Sequence, residues 1–203
     1  KDIAESLPAE STAHYLPLLE LACARLRLDF PAMNILDKKT GGGCIPMKSG
    51  DKQKYFEYAL NMDIKRKRAE YTDFVRSVTP LIFDLFTLML KNSCHIDITV
   101  CCDGRPLKWN KEMLRQTYPE IDKLLNTSFR GNFKYGAVYS SALVRIIGAY
   151  STDGKLTKLA NDLRHVEEKV RNRAAHEIVS LSDEAIKNMT GFNAAEIMKL
   201  LKE

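Results

Sequence analysis

The sequence predicts an all-α fold, a helical bundle interrupted by one small β-hairpin. Apolar residues return every three or four positions through most of the 203-residue chain, the spacing that lines one face of a helix. The one stretch that alternates instead, 95–100, is rich in β-branched residues and is followed by the turn pair Asp103-Gly104. Asn and Ser stand where several helical patterns begin, and Pro or Gly where others stop. With 45% hydrophobic and 28% charged residues, the chain can build one sizeable core, and a single domain over 1–203 is expected. That composition excludes collagen-like and disordered classes.

In chain order, Leu16, Leu19, Ala22, Cys23 and Leu26 make a first helix within 10–28, which Pro31 is expected to stop. Residues 31–50 carry Gly41, Gly42, Gly43, Pro46 and Gly50 with little periodicity and read as a long loop. Helical spacing resumes at Asp51, passes Tyr55, Leu60 and Ile64, and runs to Val78, where Pro80 breaks or restarts it. A hairpin is expected over about 95–109. Asn110 then caps a short helix, Pro119 opens another, and 140–150 forms a third.

The strongest helix follows. From Leu156, the apolar positions Leu159, Leu163, Val166, Val170, Ala174, Ile178 and Leu181 step by threes and fours over about seven turns. Ser182 starts one more short helix, and Asn193, with Glu196 three residues on as a capping box, starts another.

Charge and cysteine content narrow the setting. Lys plus Arg number 31 and Asp plus Glu 26, a net charge of +5 that permits a nucleic-acid partner without demanding one. The excess lies in 105–145, where eight basic residues (Arg105, Lys108, Lys111, Arg115, Lys123, Arg130, Lys134, Arg145) face three acids (Glu112, Glu120, Asp122). Residues 151–203 hold nine of each sign, so the long helix is not itself a basic patch. Five cysteines, two of them adjacent, suit neither a disulfide framework nor a CxxC zinc site, and a reducing cytoplasm is expected. The longest apolar stretch, 81–90, is interrupted by Asp84 and is too short to span a bilayer, so no membrane partner is expected. The chain opens at Lys1 rather than Met, which suggests a fragment of a longer protein.

On the long helix, the side opposite the apolar stripe gathers Glu168, Asn172, Ala175, His176 and Val179, polar groups mixed with small or apolar ones rather than the Lys/Glu surface solvent favours. Arg171 lies on the flank. Arg171 and His176 stand about 140° apart around the axis, so one helix cannot aim both at a small target. Two copies related by a two-fold axis would bring both pairs into one cleft. Such a cleft suits RNA phosphodiester cleavage by the 2′-hydroxyl, with histidine as proton shuttle and arginine on the phosphate.

The run Arg171-Asn172-Arg173-Ala174-Ala175-His176 resembles the R-x4-6-H motif of the HEPN superfamily. More narrowly, the stretch 166–181 and the helical context resemble the C-terminal HEPN domain of type III CRISPR-associated ribonucleases that carry an N-terminal CARF domain. The resemblance implies Arg171 and His176 as catalytic residues, Asn172 as an accessory, a homodimer, single-stranded RNA as substrate, and neither metal nor cofactor. It also implies that a cyclic oligoadenylate activator would act on a domain outside this chain. The alternative is a non-catalytic HEPN-like module that binds nucleic acid or a nucleotide, or dimerises its parent protein. A metal-dependent nuclease lacks its usual carboxylate cluster.

Other motifs receive plainer readings. Arg164 and His165 are expected to be an exposed pair, and 65–68 a solvated basic run. Residues 43–49 do not make a phosphate loop, because no buried strand leads into them. Cys94, His95, Cys101 and Cys102 do not have structural-zinc spacing. Phe133, Tyr135 and Tyr139 could stack bases, but core packing is the expected role.

Overall fold

The computed structural model describes residues 15–48, 50–176 and 181–203, with backbone only over 171–176. The chain is all-α apart from one two-stranded sheet, as its periodicity predicts. It divides after Arg68 into two compact units.

In the first unit, α1 (Leu16–Arg27) ends at Leu28 in the left-handed conformation, φ 56°. Helix α2 (Phe30–Lys39) follows at once, capped by Asp29, whose carboxylate accepts from the Ala32 N–H at 3.1 Å. The long loop expected over 31–50 is therefore corrected to a shorter one beginning at Thr40. Pro31 starts a helix rather than stopping one, because in the first turn its missing N–H has no helical partner to lose. Gly41, Gly42 and Gly43 all take positive φ after α2, where a side chain would be strained.

Leu21, Ala24, Met33 and Ile45 form a core between α1, α2 and that loop. Asp37 is buried, accepts from the Ile45 N–H at 3.0 Å and meets Lys48 at 3.2 Å. Burial pushes its carboxyl up, but Lys48 and the backbone donors outweigh it and hold the pKa below its usual value. Helix α3 (Gly50–Lys67) is fastened to α1 by Arg25, which binds the buried Glu57 through both carboxylate oxygens at 2.8 and 2.9 Å.

The second unit opens with α4 (Tyr71–Ser93), which runs straight through Pro80. The expected break at Pro80 is corrected to one at Ala69, whose φ is 57°. Pro80 is exposed, so water can satisfy the carbonyl one turn back that a proline leaves without a donor. The hairpin is present but smaller than expected. Residues Ile98–Cys101 form a 3-10 turn capped by Asp97, which accepts from the Thr99 N–H at 3.1 Å, and Ile98 and Cys101 are buried three apart. Strands β1 (Cys102–Asp103) and β2 (Lys108–Trp109) pair antiparallel with Cys102 opposite Trp109, and Lys108 makes one further bridge to Ala137.

Asn110 caps α5 (Lys111–Thr117), Pro119 begins α6 (Pro119–Ser128), and α7 (Ser140–Tyr150) follows a loop. The long helix α8 (Gly154–His176) packs against α4 and α7 and against α9 (Asp183–Thr190) and α10 (Ala194–Leu200). Ser182 caps α9, and the Asn193–Glu196 capping box is complete in both directions. Phe74, Val78, Ile82, Phe86, Leu143, Ile146, Leu163, Val166 and Val170 are each fully buried. Among the described residues, no helix is long and apolar enough to cross a membrane.

Candidate active site on the long helix

Asp153 fixes the start of α8, its carboxylate accepting from the Lys155 N–H at 2.8 Å. From there Ala160, Leu163, Val166 and Val170 turn one face wholly into the core, the stripe the periodicity predicts. Leu159 is half-buried. Across the helix Asn161, His165, Glu168 and Lys169 are exposed.

Arg171, Asn172 and His176 lie on the last turns of the same rod. Their backbone is helical, which sets Arg171 and His176 about 7.5 Å apart along the axis and about 140° around it, and leaves Asn172 and His176 within about 40°. Their side chains lie outside the described residues, as does the segment 177–180 with Ile178 and Val179. The helix was expected to reach Leu181. Leu181 is instead non-helical and buried, its N–H donating to Thr72 at the start of α4 at 3.3 Å.

One turn before Arg171 stands a buried carboxylate that sequence reasoning did not single out. Glu167 is only 2% exposed, and its Oε2 accepts a short hydrogen bond from the Ser140 hydroxyl and another from Arg164 Nη1 at 3.3 Å. Arg164 also reaches Glu168 at 3.8 Å. The expected exposed pair is thus corrected: His165 is exposed, but Arg164 is partly buried. The available signal was an acid beside the apolar stripe rather than opposite it. Its partner is 27 residues away, beyond any local pattern. The contact ties the motif-bearing end of α8 to the first turn of α7.

Of the aromatic residues before α7, Phe133 and Tyr135 pack as expected, whereas Tyr139, expected to pack in the core, is corrected to an exposed position. Phe133 meets Trp109, Phe129 and Tyr135 at centroid distances of 6.2, 5.5 and 5.0 Å. The Tyr135 hydroxyl donates a short hydrogen bond to Asp122, and Asn126 donates to that hydroxyl at 2.8 Å. Tyr139 is half exposed. The five cysteines are free thiols, and among the described residues no three His, Cys, Asp or Glu side chains gather as a metal-binding group.

A family model described as the Cas_Csm6 HEPN domain matches residues 44–203. The chain belongs to that family. The match confirms the CRISPR-associated HEPN resemblance. It takes in α3, the hairpin, and all of α4 through α10, so the whole of α8 falls inside the HEPN domain, while α1 and α2 precede it. No curated protein matches the chain.

Proposed function

We propose that this HEPN protein is an endoribonuclease of type III CRISPR antiviral defence that cuts single-stranded RNA without a metal ion, at a site shared by two copies of the chain. What carries the reading is the family match over 44–203, which takes in α8 and its Arg171-Asn172-x-x-x-His176 run.

In this reaction the RNA 2′-hydroxyl attacks the neighbouring phosphorus. The bond from phosphorus to the 5′ oxygen breaks, leaving a 2′,3′-cyclic phosphate and a 5′-hydroxyl. His176 exchanges protons with the attacking or the leaving oxygen. With one histidine from each copy, a general base and a general acid are both at hand near neutral pH. Arg171 holds the phosphate and the charge that grows on it. Asn172 positions the imidazole or the sugar. In-line geometry needs a backbone free to leave stacking, which favours single strands. The core face of α8 is consumed inside the unit, and the opposite side, which carries exposed His165 and Glu168, supports packing against a second copy. The protein works in the cytoplasm, and a cyclic oligoadenylate signal is received on a domain other than this one.

The test is cleavage of labelled single-stranded RNA by the full chain in EDTA, with product ends identified. Cleavage should persist in the chelator, and His176→Ala should slow it by at least about 100-fold with an unchanged melting temperature. Full activity in that variant would remove His176 from the chemistry. Loss of wild-type cutting in EDTA would end the metal-free assignment, and binding without cutting would leave the non-catalytic module.

A further inference from the structure

We infer that the basic collar around the Phe129–Phe133–Tyr135 cluster is the surface that grips the phosphates of single-stranded RNA and leads the strand toward the motif end of α8. The inference rests on the RNA reading above, but it concerns residues that reading does not use.

Six cations make up the collar: Lys108 on β2, Lys111 and Arg115 on α5, Arg130 and Lys134 on the loop before α7, and Arg145 on α7. All six are exposed. Contacts to shared residues tie four of them to the cluster, and Arg130 and Lys134 flank Phe129, Phe133 and Tyr135 in the chain. Lys111 Nζ lies 5.1 Å from the Tyr135 ring centre, and Arg145 lies 4.7 Å from that of Phe129. Arg115 binds Asp122 at 3.1 Å, and Asp122 in turn holds the Tyr135 hydroxyl. Lys108 bridges to Ala137 of the same loop. Among the described residues, Arg115 alone of the six is in an ion pair.

The aromatic residues therefore serve as a scaffold rather than a stacking platform. A cation resting over a ring is partly ordered beforehand, so less side-chain freedom is lost when a phosphate arrives. Asp122 offsets Arg115, and Glu112 and Glu120 are exposed acids of the same stretch, but over 105–145 the basic residues outnumber the acids eight to three and the field stays positive. Exposed cations, all but Arg115 outside any ion pair among the described residues, match a phosphate backbone and carry no sequence information.

The placement also gives a direction. The loop bearing Arg130 and Lys134 ends at Ser140, whose hydroxyl rests on Glu167, about 6 Å along α8 from Arg171. The collar therefore lies on the segment that runs into the contact between α7 and the motif-bearing half of α8.

The experiment uses the full chain and a fully 2′-O-methylated single-stranded oligonucleotide of about 16 nucleotides, which cannot undergo 2′-hydroxyl attack. The collar variant carries Lys111→Gln, Arg130→Gln and Lys134→Gln. A control of equal charge loss carries Lys187→Gln on α9, Lys199→Gln on α10 and Lys202→Gln just after it, and thermal melts confirm that both fold. Affinity is read by fluorescence anisotropy across a salt series. The collar variant should bind at least about tenfold more weakly and lose about 2 from the slope of log affinity against log salt, roughly 0.7 per phosphate contact. The control should change little. With cleavable RNA, the collar variant should raise KM and leave kcat near the wild-type value.

Equal losses in both variants, an unchanged collar variant, or a wild-type chain that binds polyglutamate through the collar but not RNA would each overturn the assignment. Collar-dependent binding by a chain that cuts no RNA would uphold it while the nuclease reading fell. Normal cutting with an unchanged KM in the collar variant would do the reverse.

Discussion

Glu167 keeps a carboxylate almost wholly out of water, with Ser140 and Arg164 as its partners. A buried charge of this kind is tolerated only while its partners remain, because removing it from solvent costs several kcal/mol. Truncation by Glu167→Ala would strand the Ser140 hydroxyl beside a small cavity and leave Arg164 with Glu168 as its remaining acid. A loss of roughly 2–4 kcal/mol is expected, read from the midpoint of urea unfolding. Glu167→Gln keeps an acceptor for Ser140 and should cost about half as much. An alanine variant as stable as wild type would mean that the contact adds nothing to the fold. By the same logic Asp97 is tuned by its neighbours: the Lys91 ammonium at 2.8 Å, then the Thr99 hydroxyl and N–H, hold its carboxyl at about 2 against the opposing effect of burial.

Among the elements, three helix starts were legible from their local caps, while Asp29, equally local, caps α2 where a loop was expected. Asn110, Ser182 and Asn193 each cap the helix expected of them, since an N-cap acts on an N–H only two or three residues away. The box at α10 is reciprocal, Asn193 accepting from the Glu196 N–H at 2.8 Å while Glu196 accepts from the Asn193 N–H at 2.7 Å. Asn193→Ala should therefore cost about 1 kcal/mol, and hydrogen exchange at the first turn of α10 should quicken before that of α8. Uniform exchange across both helices would show that they open together whatever the cap. Prolines were less legible. Pro31 opens α2 and Pro80 sits inside α4, and the two differ only in what surrounds them.

At the scale of the whole molecule, the proposed reaction depends on a second copy, because Arg171 and His176 diverge by about 140° on one helix. If each site draws on two chains, activity per chain should fall on dilution through the range in which light scattering reports a change from dimer to monomer. A rate per chain that stays constant through that change would confine the reaction to one subunit. Charge is also arranged at this scale. The balanced segment 151–203 carries the motif, while the basic excess of 105–145 surrounds the aromatic cluster that precedes α7.

By itself, the sequence determined the all-α class, the core face of α8, several of the caps, and the HEPN family. These are local properties, written in spacings of three and four residues and in short capping contacts. Only the tertiary structure decided that 98–101 coils as a 3-10 turn, that Pro80 leaves α4 unbroken, and that Arg164 and Ser140 converge on Glu167. Each of these depends on burial or on a partner far along the chain, and a linear pattern does not record which distant residues fold into contact.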